Sequence, residues 1–144
     1  MKQIVTCIAI VLIATSCKTS KEAIKQTTPL FDTKWSLTRI YDNNKEQTVN
    51  TKAFIRFDKE KSSAGGNGSC NSFGSSARVN GSEVSFKNIF STKMYCEQVQ
   101  QIENKYFCKL EKANRFEIKA KELVLYHDRE KLLEFTAEIN NTGK

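Results

Sequence analysis

The side chains with the most chemistry to offer in this chain of 144 residues are its five cysteines. A thiolate can attack a carbonyl, bind a metal, accept a lipid or close a disulfide, and its surroundings decide which. Cys7 and Cys17 stand near the start, while Cys70, Cys96 and Cys108 stand in the body of the chain. Nucleophilic catalysis would need a base within hydrogen-bond reach of a thiol. His127 is the only histidine, it falls in a polar turn, and nothing in the sequence brings Cys108 to it. The run Gly65-Gly66-Asn67-Gly68 lacks the Gly-Lys-Ser/Thr ending of a phosphate loop, and strand signals follow it instead of a helix.

Cys17 has the clearest expected fate. The chain opens with Met1-Lys2-Gln3 and then runs through eleven mostly apolar residues, Ile4 to Ala14. Crossing a bilayer takes about 20 apolar residues, so this run has the proportions of a secretory leader. Ala14-Thr15-Ser16-Cys17 resembles a bacterial lipobox, with Ala14 where such motifs usually carry Leu. The resemblance implies a diacylglycerol thioether on Cys17 and cleavage before it. Residues 1–16 are then a lipoprotein signal peptide, and the membrane is a partner through the lipid anchor. Each buried CH₂ of an acyl chain contributes about 0.8 kcal/mol, and two chains anchor stably where one does not. The expected location is the bacterial cell envelope. Lys18 after the cysteine, with no Asp there, is compatible with the outer membrane.

Loss of residues 1–16 leaves 128 residues, enough for one domain, and changes the net charge from +7 to +6 because only Lys2 is lost. The basic residues are scattered without a stripe, Arg is scarce, and no nucleic-acid motif is present, so nucleic acid is not an expected partner. Residues 17–30 are polar and end beyond the only proline, which reads as a flexible tether. A folded unit over 31–139 and a polar tail over 140–144 complete the chain.

Most of that unit alternates apolar and polar residues with period two, as half-buried strands do. Trp35 and Leu37, with Arg39, share a face of the first, and Ala53-Phe54-Ile55-Arg56-Phe57 forms the second. Ser62 to Ser69, with three glycines, reads as a loop. Asn80-Gly81 between Arg78-Val79 and Val84-Ser85-Phe86 predicts a tight hairpin. A second hairpin is expected where Leu123-Val124-Leu125-Tyr126 and Leu132-Leu133-Glu134-Phe135 flank residues 127–130. Between Glu97 and Glu111 the period changes, and Val99, Ile102, Tyr106 and Leu110 recur at helical spacing. Phe107 lies at the edge of that stripe and Cys108 roughly opposite, towards water or a neighbour. Asn114 ends the helix. The expected fold is α+β, a mostly antiparallel, curved or barrel-like meander with one packed helix.

These landmarks resemble the META domain, the HslJ-like family of small envelope proteins, over about residues 31–137. The resemblance is carried by Trp35-Ser36-Leu37, by Gly68-Ser69-Cys70-Asn71-Ser72-Phe73, and by Ser91-Thr92-Lys93-Met94-Tyr95-Cys96. Glu103, Tyr106, Leu110, Leu123-Val124-Leu125 and Phe135 continue it. Gly74 sits one place early relative to the family pattern, and Ala77 stands where an aromatic is usual. Because Cys70 and Cys96 lie in the family motifs and Cys108 does not, the resemblance implies a Cys70–Cys96 disulfide. Cys96–Cys108 pairing and free thiols remain alternatives. A bridge closing about 26 positions contributes roughly 3 kcal/mol in the chain-entropy model.

Asn71 has two readings, a ligand amide beside the glycine run or a turn residue bonding its own backbone. Glu103, flanked by Lys105 and Lys109, reads as solvated or bonded to a neighbouring loop. Zinc needs four ligands, or three and a water, which three cysteines in a disulfide-permitting compartment supply poorly. No metal, cofactor or catalytic residue is expected, and the family is linked only loosely to stress response and envelope integrity. The leading expectation is a non-catalytic envelope lipoprotein with a binding or structural role towards an unknown protein or small molecule. The alternatives are an inhibitor of an acidic hydrolase, which a +6 protein would suit, and a small-ligand binder.

Overall fold

The computed structural model describes residues 27–43 and 45–138. The leader, Cys17, the tether up to residue 26 and the polar tail lie outside them. Among the described residues there are nine strands and one helix. The strands are β1 (Lys34–Asp42), β2 (Lys45–Thr48), β3 (Phe54–Asp58), β4 (Ser63–Asn67), β5 (Ser72–Asn80), β6 (Glu83–Ser91), β7 (Arg115–Lys119), β8 (Glu122–His127) and β9 (Glu130–Glu138), and α1 (Gln100–Lys112) stands between β6 and β7.

Every strand pairing is antiparallel, in the order β2-β1-β3-β4-β5-β6-β7-β8-β9, and β9 pairs with β1 as well. Strand pairing therefore runs round a ring from β1 through β3 to β9, which leaves the ring strands little free edge outside the β6–β7 joint. β3 takes the first part of one edge of β1 (Trp35↔Ile55) and β2 takes the last part (Arg39↔Thr48 to Asp42↔Lys45). The joint between β6 and β7 is the narrowest, with one register pair, Glu83↔Arg115. It is reinforced where Phe116 N–H donates to Ser82 O at 2.8 Å and Val84 N–H to Asn114 O at 3.1 Å. The curved antiparallel meander with one helix is the architecture the periodicity predicts.

Alternation puts Trp35, Leu37, Ile55, Phe57, Phe73, Ala77, Val84, Phe86, Leu123, Leu125, Leu133 and Phe135 inside the ring, where all are buried. The interior is filled by these side chains. Arg39 does not continue the face of Trp35 and Leu37. A bulge between Leu37 and Arg39, opposite β9, shifts the phase so that Ile40 is buried instead. Arg39 turns to Glu134 and Glu46. Tyr41 Oη donates to Glu134 Oε2 at 2.7 Å, and burial followed by that bond pushes its pKa far up.

Residues 63–67 form a strand, not the loop their glycines suggest. The reason is close approach of neighbouring backbone. A Cβ on Gly66 would lie 2.1 Å from Phe54 O, and one on Gly65 would lie 2.9 Å from Phe73 O. β2 has no apolar periodicity because all four of its residues are exposed. The packed domain also begins before residue 31. Thr28 N–H donates to Ala120 O at 3.0 Å, Trp35 Nε1 donates to Leu30 O at 2.9 Å, and Leu30 is buried, so 28–30 belong to the domain and not to the tether.

Both expected hairpins are present, with Asn80↔Glu83 and His127↔Glu130 as their last register pairs. Gly81 (φ 58°) supplies the positive φ of the first and Asp128 (φ 53°) that of the second. In the β7–β8 turn Ala120 occupies the same left-handed region, at φ 54°. A Cβ is strained there by about 1 kcal/mol, so Ala120→Gly is expected to stabilise the domain by roughly 0.5–1 kcal/mol in a denaturant titration.

Following the registers, the β5–β6 and β7–β8 hairpins and the entry of β1 mark one end of the ring. The β1–β2 and β8–β9 hairpins mark the other, and α1 lies across that end. Lys105 and Lys109 fix the helix to Asp42 at 3.1 and 2.8 Å, and their hydrogen bonds hold its carboxyl below the usual carboxylate range. His127 Nδ1 lies 2.9 Å from Lys112 O at the helix C-terminus, and Cys108 is exposed on the helix.

Candidate functional site, a clamped loop beside a buried carboxylate

Three segments meet where α1 covers the ring: the β4–β5 turn (68–71), the β6–α1 connection (92–99) and the first turns of α1. Glu103 is 2% exposed. A buried carboxylate is costly unless its oxygens are satisfied, and the turn satisfies them. Glu103 Oε2 accepts from Asn71 N–H at 2.7 Å and Cys70 N–H at 3.1 Å, and Oε1 accepts from Asn71 Nδ2 at 2.6 Å. Of the two sequence readings of Glu103, the loop-bonded one describes it. The flanking lysines point the other way, to Asp42.

Asn71 is 3% exposed and does not bond its own backbone. The turn role falls to Asn67, whose Oδ1 accepts from Ser69 N–H at 2.8 Å. Asn71 instead ties the turn to the 92–96 loop. Its Nδ2 donates to Met94 O at 2.9 Å as well as to Glu103, and its Oδ1 accepts from Met94 N–H at 2.8 Å and Thr92 Oγ1 at 2.7 Å. Two donors and two acceptors exhaust what an amide can offer. The protein itself uses all of Asn71, and none is left for a ligand.

The covalent tie is Cys70–Cys96, with Cα atoms 5.9 Å apart and 26 positions between them in sequence. This is the pair the resemblance implies. Gly68 is required by contact: a Cβ there would meet Phe107 Cζ at 2.5 Å and Glu103 Oε2 at 2.7 Å. Gly68 N–H in turn donates to Asn71 O at 2.7 Å. Beneath the turn, Phe73 meets Tyr106 edge-on at 5.7 Å between ring centroids.

The consequence of these ties is on the surface. Both backbone groups of Met94 are held by one side chain and Cys96 is held by sulfur, yet the side chains of Met94 (58% exposed) and Tyr95 (77%) stand in solvent. Phe90 (70%), near the end of β6, is exposed as well. These three are the exposed large hydrophobics among the described residues. The sequence marks Ser91 to Cys96 as a family landmark, and its periodicity does not show the display. An apolar Met-Tyr pair between two fixed points, outside the alternation, was the available signal.

Tyr106 Oη is fully buried and unpartnered among the described residues, and burial pushes its pKa well up. An unmet hydroxyl in a core costs about 1–3 kcal/mol. Tyr106→Phe is therefore expected to raise thermal stability by about 1 kcal/mol, and a loss of that size would show that the hydroxyl is bonded in solution.

The family model of the META domain matches residues 28–139. A solved NMR structure of a protein from Burkholderia xenovorans is similar, with 21% identity and a TM-score of 0.66 over 77% of this chain and 85% of that one. A second NMR structure matches with 21% identity and a TM-score of 0.54, over 72% of this chain and 87% of that one. At such identity the likeness speaks for the fold. No curated protein matches. With the cysteine–asparagine turn, the glycine beside Glu103 and the helix all inside the matched span, this chain belongs to the META domain family.

Proposed function

We propose that the protein is a non-catalytic lipoprotein of the bacterial cell envelope, anchored by acylated Cys17 in the outer membrane, that binds a partner through the 92–96 loop and serves envelope integrity under stress. The observation that carries this reading is the solvent display of Met94 and Tyr95 on a loop fixed by Asn71 and by the disulfide. Apolar and aromatic side chains held in one conformation bind at little ordering cost, and aromatic and Met residues are enriched where proteins associate. Two titratable groups of the same region are engaged structurally: Glu103 holds the turn and Lys109 holds Asp42.

The same rigid loop favours a second reading, an inhibitor that inserts Met94 and Tyr95 into the site of an acidic hydrolase. Rigid loops suit inhibition because the free loop already has its bound shape.

Two measurements in a deletion strain test the proposal. Cys17→Ser should release the protein from membranes, and Met94→Ser with Tyr95→Ser should leave it folded but fail to restore resistance to heat, detergent and hydrophobic antibiotics. Full restoration by the loop variant overturns the loop's role, and unchanged membrane partitioning of Cys17→Ser overturns the anchor.

A further inference from the structure

We infer that the partner of the clamped loop is an anionic lipid surface, which the outer face of β5–β6 and the 92–96 loop contact together. This deepens the proposed function and rests on its reading of the loop as the binding element. Cross-strand register places Ser76 opposite Lys87, Arg78 opposite Ser85 and Gly74 opposite Phe90. Arg78, Lys87 and Phe90 thus follow one another along one outward face, and the chain runs on from Phe90 to Lys93, Met94 and Tyr95. The tip of the Phe90 ring lies over Gly74, where a Cβ would come within 2.6 Å of Cζ. Beside it, Ser76, Arg78, Ser85, Lys87 and Asn88 line a shallow cleft of about 160 Å³.

Charge complementarity selects the occupant. Elsewhere on the sheet some cations meet a carboxylate, as Lys34, Arg39, Arg115 and Lys119 do, and others, as Lys45, Arg56 and Lys131, meet none among the described residues. Among the described residues, Arg78, Lys87 and Lys93 meet none within ion-pair distance. From Val84 to Cys96 the chain holds two lysines and no carboxylate, with Glu83 and Glu97 just outside. Unneutralised cations beside protruding Phe, Tyr and Met match the two layers of an anionic bilayer surface, phosphates outside and acyl carbons within. Aromatic side chains settle at that boundary, and Lys and Arg are drawn to its charge. A protein partner would reward the aromatics equally but gives no account of the hydroxyl-lined basic cleft on the β5–β6 face.

Chain length is consistent with this. Nine residues, 18–26, separate Cys17 from the first described residue. They span at most about 30 Å, roughly the length of a nine-residue strand. The loop lies at the end of the ring opposite Thr28, so an anchored domain can just tip over and set it on the same membrane.

Met94 provides the probe. The chain has two methionines, and removal of the leader takes Met1, which leaves Met94 alone. The acylated protein, ¹³C-labelled at the methionine methyl, would be reconstituted in vesicles carrying a spin-labelled lipid, either zwitterionic or one-third anionic. Strong broadening of the Met94 methyl is expected in anionic vesicles and little in zwitterionic ones. Arg78→Gln, Lys87→Gln and Lys93→Gln, all exposed positions, should each weaken docking by about fivefold. A methyl that stays sharp in both vesicle types, or broadens equally in both, overturns the inference. Flotation of the same samples reports the Cys17 anchor separately, so a floating protein with a sharp Met94 signal defeats the lipid partner and leaves the loop to a protein.

Discussion

Glu103→Ala is expected to destabilise the domain by about 3–5 kcal/mol, or roughly 10–20 °C in melting temperature. The substitution strands Cys70 N–H, Asn71 N–H and Asn71 Nδ2 without their acceptor and opens a cavity in contact with Gly68 and Phe107. Each stranded buried donor costs about 1–3 kcal/mol, which outweighs the desolvation relieved by removing the charge. Glu103→Gln keeps the shape and one acceptor oxygen, so a loss of roughly half that size is expected. Chemical denaturation of the three proteins checks the order. If Glu103→Ala is as stable as wild type, the carboxylate does not organise the turn.

Removing the disulfide, with Cys70→Ser and Cys96→Ser together, is expected to cost about 3 kcal/mol, the cost of freeing a loop of this length in the unfolded chain. The bridge and Glu103 hold the same turn, so their losses should not add. Once the carboxylate is gone the turn is already loosened, and cutting the sulfur tie should cost less than it does in wild type. A double-mutant cycle measures this. Strict additivity would mean that the two ties act on separate elements. Because Met94 is held by Asn71 and Cys96 by sulfur, both changes should also loosen the 92–96 loop without touching its exposed side chains.

Those couplings explain which parts of the structure could be read from the sequence. Hairpins at Gly81 and at 127–130, the helix with Tyr106 and Leu110 buried, and the curved antiparallel sheet all follow from local periodicity and turn chemistry. The parts that were not legible depend on contacts between distant segments. Gly65 and Gly66 look like a loop until Phe54 and Phe73 press against them. Arg39 leaves the face of Trp35 only because a bulge opposite β9 resets the phase. Thr28 to Leu30 look like tether, with a proline and few apolar side chains, until Ala120 and Trp35 claim their backbone. Glu103 among lysines has the sequence signature of a solvated residue. It is buried because a turn more than thirty positions earlier aims three N–H groups at it. Asn71 sits beside a glycine run where turn asparagines are common, but the turn is made by Asn67 and Asn71 reaches across to Met94.

The 92–96 loop is a fixed element on an exposed surface, and amide hydrogen exchange at Met94 tests that most directly. Lys93 and Tyr95 have exposed side chains and, among the described residues, no backbone donor bond like that of Met94, whose N–H donates to the buried Asn71 amide at 2.8 Å. Met94 should therefore exchange as slowly as amides of the core strands, while Lys93 and Tyr95 exchange at rates close to those of an open chain. Equal and fast exchange at all three would show that the loop is not clamped, and the binding role assigned to it would lose its support.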